Sequence, residues 1–197
     1  MSNQPLISLY EHKDWQLRSA ELWDAEPICQ YFARNKAYLK PWEPEREAGF
    51  YQVNHWRQKL VKLAELHRLS LGFYFIICHP LQDKVIGTLS FGQITRFPFH
   101  AGSLGYSLDP EFQGQGIMTT CVKKVCDYLF NQQNLHRIQA AHMPNNVASQ
   151  AVLERCGFEY EGLAKAYLLI DGQWQDHRLL ALTNHQWQSR TRTIYND

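Results

Sequence analysis

The sequence lacks an excess of charge of either sign: 20 Lys and Arg against 19 Asp and Glu leave a net charge of +1 over 197 residues. Without a broad positive field, binding to nucleic acid or to an anionic membrane surface is disfavoured, and any phosphate recognition has to be local. Long apolar runs are missing too. The longest, Leu71 to Cys78, contains Gly72 and falls far short of the ~18 to 20 residues that span a bilayer. The amino-terminal MSNQPLISLYEHKD has no basic segment leading into an apolar one, so no secretory signal is expected and the protein is placed in the cytoplasm. Cysteine is sparse and unpaired: Cys29, Cys78, Cys121, Cys126 and Cys156 stand singly, without the C-x-x-C or histidine spacing of a zinc site. Reduced, buried thiols and no metal are therefore expected. H-E-x-x-H, G-x-S-x-G and G-x-x-x-x-G-K-[ST] are all absent, which argues against zinc-protease, serine-hydrolase and P-loop chemistry.

The length suits one domain at roughly 100 to 200 residues per domain. It is read as residues 15–188 between an extension, 1–14, and a polar tail, 189–197. Trp15 to Arg18 reads as a first strand, and Asp24 as the cap of a helix carrying Ile28, Tyr31 and Phe32. KPWEP, Lys40 to Pro44, has two prolines three apart, which predicts a stiff loop displaying Trp42 and Glu43. Val53, Trp56, Leu60, Leu63, Leu66 and Leu69 recur at threes and fours, predicting an amphipathic helix that Gly72 ends. Phe73 to Cys78, Val85 to Ile94 and Gly102 to Leu108 read as an antiparallel meander with a turn at LQDK. A helix bearing Met118, Cys121, Val122, Val125 and Leu129 follows, then a strand from Ile138 to His142 and a helix from Asn146 to Arg155. A hairpin turning at Asp171-Gly172, between Tyr167 to Ile170 and Trp174 to Leu182, closes the chain. The order β-α-α-β-β-β-α-β-α-β-β makes this an α+β fold with a mixed sheet.

Gln113-Gly114-Gln115-Gly116 joins a predicted strand to a predicted helix. Such a loop presents unpaired N–H groups at the positive end of a helix dipole, which makes an anion site. Glycine there allows positive φ and close approach of phosphate oxygens. On spacing alone a plain turn is equally open. A dinucleotide fingerprint would need a third glycine where Thr119 stands, and a P-loop would need Lys and a hydroxyl where Ile117 and Met118 stand. A pyrophosphate held mainly by backbone, late in a mixed sheet, is the phosphate reading that remains.

LGYSL (Leu104 to Leu108), QGQGIM (Gln113 to Met118), HRIQAAHMPNN (His136 to Asn146) and YLLIDGQWQDH (Tyr167 to His177), with KPWEP upstream, together resemble the GNAT superfamily of N-acetyltransferases. Within it they are similar to the Rim branch of ribosomal-protein N-acetyltransferases, over about Trp15 to Trp187. The resemblance implies a bifurcated, mostly antiparallel seven-stranded sheet with helices on both faces, and acetyl-CoA as cosubstrate in the gap of the sheet. It implies pantetheine contacts with Tyr106, Ser107, Leu108 and Asn146, and a pyrophosphate on the amides of Gln113, Gly114, Gln115, Gly116, Ile117 and Met118. The family motif opens with Gln or Arg where this chain has Glu111, a small departure if the contacts are main-chain. The implied reaction is direct acetyl transfer, in a ternary complex, to the N-terminal α-amine of a ribosomal protein, alanine being the expected residue. A small amine such as a polyamine or antibiotic stays open as acceptor, as does a non-catalytic module that binds a ribosomal partner. No motif fixes an oligomeric state.

Acetyl transfer to an amine needs the neutral amine, stabilisation of an oxyanion and a proton for the departing thiolate. An α-amine of pKa about 8 forgoes only ~1.4 kcal/mol to be neutral at pH 7, against ~4.6 kcal/mol for a lysine, so a weak base suffices. By resemblance, Ser149 aligns with a serine acting as acid toward sulfur, while Leu153 replaces the tyrosine of more typical members. Many relatives carry a glutamate where this chain has Ser103, which leaves Glu43 and His100 as alternative bases. Trp42, Tyr38 and Tyr167 are candidate walls for the acceptor. Lys123 and Lys124 are candidates to approach the phosphates, and Arg96, Arg137 and Arg178 to steer a polar substrate.

Overall fold

Phe75 and Ile77 pack into one hydrophobic cluster and Ile76 and Cys78 into another, all four buried. A strand apolar on both faces needs cover on both, and this one lies inside a sheet layered between two sets of helices. The computed structural model describes residues 5–80 and 84–189. The expected LQDK turn falls largely, and the expected tail almost wholly, outside the described residues. Eight strands appear among those described: β1 (Ser8–Glu11), β2 (Gln16–Ser19), β3 (Phe73–Cys78), β4 (Val85–Thr95), β5 (Ala101–Leu108), β6 (Arg137–His142), β7 (Glu159–Ile170) and β8 (Gln173–Thr183), ordered β1-β2-β3-β4-β5-β6-β8-β7.

The sheet thus has one strand more than the seven expected. The addition is β1, from the segment read as an extension, which pairs antiparallel with β2 from Ser8↔Arg18 to Glu11↔Gln16. Four residues carry too little alternation to announce a strand; β1 exists because β2 offers it an edge.

Five α-helices stand among the described residues: α1 (Ala25–Arg34), α2 (Lys36–Leu39), α3 (Val53–Arg68), α4 (Ile117–Asn131) and α5 (Val147–Arg155). Ile28, Tyr31 and Phe32 of α1 and Trp56 and Leu60 of α3 pack on one face with Ile76 and Val85. Val122, Val125 and Leu129 of α4 and Leu153 of α5 cover the other, against Phe75, Leu89 and Ile138. The apolar stripe read for α3 overshoots, since Leu69 lies past its end and is exposed. Ser70, at φ +54°, and not Gly72, turns the chain toward β3.

Asp24 precedes α1 but bonds no helix amide. Its carboxylate receives the Arg18 guanidinium fork at 2.7 Å on both oxygens, and the Glu21 N–H at 2.7 Å. KPWEP is also more ordered than a loop: Lys40–Trp42 makes one 3-10 turn, with Pro41 in the first turn, where its missing N–H has no partner to lose. The hairpin turn is as read, with Asp171 at φ +46° and Gly172 at φ +76°.

The feature that positions the site is a split in the sheet. β5 and β6 run parallel and pair only from Ala101↔Arg137 to Leu104↔Ala140. Beyond that, β5 stays with β4 as far as Leu108, and β6 stays with β8 as far as His142. The two half-sheets therefore part and expose two strand edges. Close packing at the closed end depends on Gly102, where a Cβ would lie 2.6 Å from the Phe91 ring and 2.9 Å from the Gly92 carbonyl oxygen. Gly102→Ala is expected to destabilise the protein by about 1 to 3 kcal/mol, read as a lower urea midpoint; an unchanged midpoint would show that β4 yields there without strain.

Candidate active site

The split opens into a cavity of about 1080 Å³ lined from both half-sheets, the α4 entry, α5, the KPWEP turn and α3. It brings together Tyr38, Trp42, Glu43, Tyr106, Ser107, Leu108, Gln113, Gly114, Gly116, Ile117, Met118, Asn146 and Ser149. Gln115, Tyr167 and His100 are not on its lining, and neither are Lys123, Lys124, Arg96, Arg137 and Arg178.

At one end lies the glycine loop. Gly114 and Gly116 sit at φ +72° and +75°, and nothing lies within 4 Å of where either Cβ would be. These positions need glycine for backbone conformation, and the space above them is open. Gly116 is the N-cap of α4, whose first buried residues, Ile117 and Met118, anchor the helix in the core. The amides from Gly114 to Met118 form no hydrogen bond with the described residues, which leaves them to an anion at the positive end of a 15-residue helix. Gln113 donates through Nε2 to the Tyr38 hydroxyl, tying the loop to α2. Glu111 turns away to Lys84, 3.7 Å distant, so the departure from the family motif leaves the loop's amides clear.

At the split, the Tyr106 hydroxyl on β5 meets the Ser149 hydroxyl on α5 at 2.9 Å and donates to the Ser149 carbonyl at 3.1 Å. Burial pushes the Tyr106 phenol up, against the smaller opposing effect of its bond to Ser149, so it stays protonated. Asn146 accepts the Ser149 N–H at 3.0 Å through its side-chain oxygen, which caps α5 and fixes Ser149. Leu153, in the place of the usual tyrosine, is fully buried in the core. Tyr106 therefore supplies a phenol beside Ser149 from the strand instead of from the helix. On the opposite face of β5, the Ser107 side chain is held by the Tyr31 hydroxyl at 2.9 Å and by Thr88 at 3.1 Å.

The other end is walled by Tyr38, Trp42 and Phe50 and carries Glu43, Arg46 and Lys59. Glu43 is less displayed than the stiff KPWEP loop predicts. Its side chain is 20% exposed and accepts from Arg46 at 3.2 Å. Burial pushes its carboxyl up, while Arg46 and Lys59 hold it down. Lys59 lies over the Trp56 ring at 4.5 Å. Burial, then Arg46, pushes its ammonium down to about 8, against the pull of Glu43. Unfolded chain keeps that proton to its ordinary 10.5, so between pH 8 and 10.5 the unfolded state binds more protons and stability rises with pH. The urea midpoint of the wild type is expected to gain on that of Lys59→Met across this interval, and a constant difference would contradict the burial of the charge.

His100 stands at the closed end of β5, at φ +47°, with its ring 4.9 Å from that of Trp187 and its carbonyl accepting from the His136 and Arg137 amides. It serves the loop and not the cavity. Tyr167 is 44% exposed, with its ring 5.6 Å from that of His177. Gln115 bonds back to the Glu111 carbonyl at 3.4 Å. Lys124 lies over Tyr10, and Arg96, Arg137 and Arg178 are engaged by the Gln133 carbonyl, Glu161 and Gln150. Sequence reasoning missed Arg46, Lys59, Arg155, His142 and His177, all of which line the cavity. Among the described residues no cluster of His, Cys, Asp or Glu gathers to hold a metal, and no helix is long and apolar enough to cross a membrane.

A split sheet, free amides at a helix start and a half-buried pair of hydroxyls define a group transferase that takes a phosphate-bearing donor. Residues 15–159 match the acetyltransferase (GNAT) domain model, and the chain belongs to that family. It is 42% identical over 164 residues, 83% of this chain and 84% of the other, to the [ribosomal protein uS5]-alanine N-acetyltransferase of Escherichia coli (strain K12). Among solved structures it resembles ribosomal-protein-S5-alanine acetyltransferase from Vibrio fischeri, with 47% identity, a TM-score of 0.90 and coverage of 92% of this chain and 99% of the other. It also resembles Mycobacterium smegmatis RimJ in complex with a CoA disulfide, at 31% identity and a TM-score of 0.81, covering 87% of this chain and 83% of the other.

Proposed function

We propose that the chain transfers acetyl from acetyl-CoA to the N-terminal α-amine of a ribosomal protein, with alanine at that terminus, in the cytoplasm. The observation that carries this reading is the single cavity that joins the glycine loop and the split strands to an aromatic acceptor end and also holds Tyr106 and Ser149. The amides of Gly114 to Met118 hold the pyrophosphate, the Gln113 N–H being spent on the Pro110 carbonyl at 3.3 Å, and the free edge of β5 from Tyr106 to Leu108 lies along the pantetheine. The side-chain NH₂ of Asn146, whose oxygen caps α5, is left to face the same arm. The Tyr106 and Ser149 pair gives a proton to the departing sulfur, and Glu43 receives the acceptor's terminus between Tyr38 and Trp42. Likeness to proteins named for alanine at a ribosomal-protein terminus supports the choice of acceptor.

The test is a comparison of kcat/KM for a peptide with a free N-terminal alanine, the same peptide with its α-amine blocked, and spermidine. The free peptide is expected to exceed both others by about 100-fold or more, since one uncompensated buried charge or lost amine contact is worth ~3 kcal/mol. Preference for spermidine would overturn the acceptor, and tight binding of a ribosomal protein without turnover would overturn the enzyme.

A further inference from the structure

With Ser103 in place of a carboxylate on β5 and Glu43 engaged by Arg46, the cavity needs another group to take the amine's proton. Two histidines face it from neighbouring strands: His142 at the end of β6 and His177 on β8. Each is buried, at 3% and 4% exposure, and each holds Nδ1 against a main-chain carbonyl, Met143 at 2.8 Å and Gln175 at 3.0 Å. A carbonyl only accepts, so Nδ1 carries a proton, and whenever the ring is neutral its lone pair is on Nε2. Neither Nε2 has a hydrogen-bond partner among the described residues. That of His142 is sealed from solvent, whereas that of His177 is not, so His177 is the one an incoming amine can reach.

Resting on the acetyltransferase reading, we propose that His177 is a catalytic residue whose Nε2 accepts the proton of the acceptor amine. The amine nitrogen attacks the thioester carbonyl, forming the N–C bond as its proton passes to Nε2. The C–S bond then breaks, the thiolate takes a proton from the Tyr106 and Ser149 pair, and the imidazolium proton makes good that loss through solvent. The net products are the N-acetyl amine and the CoA thiol. Tyr167 of β7, missing from the cavity wall, braces the His177 ring from the side, with planes inclined by 53°. The charged and titratable groups around it are few. On its own strand, Asp176 is turned to Lys165 of β7 at 2.8 Å and Arg178 to Gln150 of α5 at 2.9 Å. From β6 it meets His142, and from β7 the Tyr167 phenol.

The test is the pH profile of kcat/KM for wild type and His177→Gln, with whichever amine the enzyme acetylates. When both a neutral amine and a neutral histidine are required, log kcat/KM steepens toward acid pH from slope one to slope two. His177→Gln is expected to lose about 100-fold or more in kcat/KM, to bind acetyl-CoA as the wild type does, and to keep slope one throughout. His177→Ala is expected to regain activity with added imidazole, which separates a proton role from a folding defect. A wild-type profile that never exceeds slope one, or a variant that retains slope two or wild-type kcat/KM, overturns the proposal. Loss of peptide acetylation alone, with a small amine still acetylated, would overturn the acceptor reading and leave His177 testable on that amine.

Discussion

Gly116→Val is expected to weaken acetyl-CoA binding about 100-fold, because a lost charge-assisted hydrogen bond of ~1.5 to 3 kcal/mol is worth up to two decades in Kd. Gly116 holds φ +75° at the start of α4, and a β-branched residue in that region is strained by ~1 to 2 kcal/mol. Relief of the strain is expected to turn the Gly116 and Ile117 amides away from the pyrophosphate that the proposed function sets there. The protein itself has nothing within 4 Å of that position, so the loss falls on the ligand more than on the fold. Gly116→Asn, which tolerates left-handed backbone, is expected to bind within about tenfold of wild type. Calorimetry with CoA checks both; equal affinity for Val and glycine at this position would show that the loop amides do not hold the phosphates.

Ser149→Ala is expected to lower kcat about 100-fold or more with little change in the KM for acetyl-CoA, the signature of a group that acts in the transition state. The substitution spares the backbone: Asn146 still accepts the residue 149 N–H, and Tyr106 still donates to its carbonyl. Tyr106→Phe removes the other hydroxyl of the 2.9 Å pair. If the two hydroxyls act as one donor, the double variant falls no further than the worse single one. Full additivity would assign them separate roles, and unchanged kcat in Ser149→Ala would remove the serine from the chemistry.

An element of this fold is legible in the sequence where its cause is local. The glycine loop was legible because positive φ and a following helix are encoded within a few residues, and both glycines adopt that conformation. The meander and the Asp171-Gly172 turn were legible for the same reason. β1 was not, since its four residues become a strand only by pairing with β2. Asp24 has the composition of a helix cap, yet the Arg18 guanidinium, six residues back, claims both its oxygens.

The acceptor end was the least legible part. Lys59 stands outside the apolar stripe read for α3, and only tertiary packing lays it over Trp56 beside Glu43 and Arg46. His100 and His177 look alike as histidines at strands, and the choice between them is made by the sheet, which carries one to the closed end of β5 and the other to the split. One signal did exist: His177 shares strand parity with Leu179 and Ala181, of which Ala181 is buried, so an inward-facing imidazole could be read from the alternation.

The proposed activity places an acetyl group on a protein's N-terminus. Mass spectrometry of intact ribosomal proteins from cells with and without the enzyme tests it most directly. Loss of a single acetyl group from the N-terminus of one ribosomal protein, restored by the wild-type chain and not by Ser149→Ala, is the predicted result. Identical N-termini in both sets of ribosomes would contradict it.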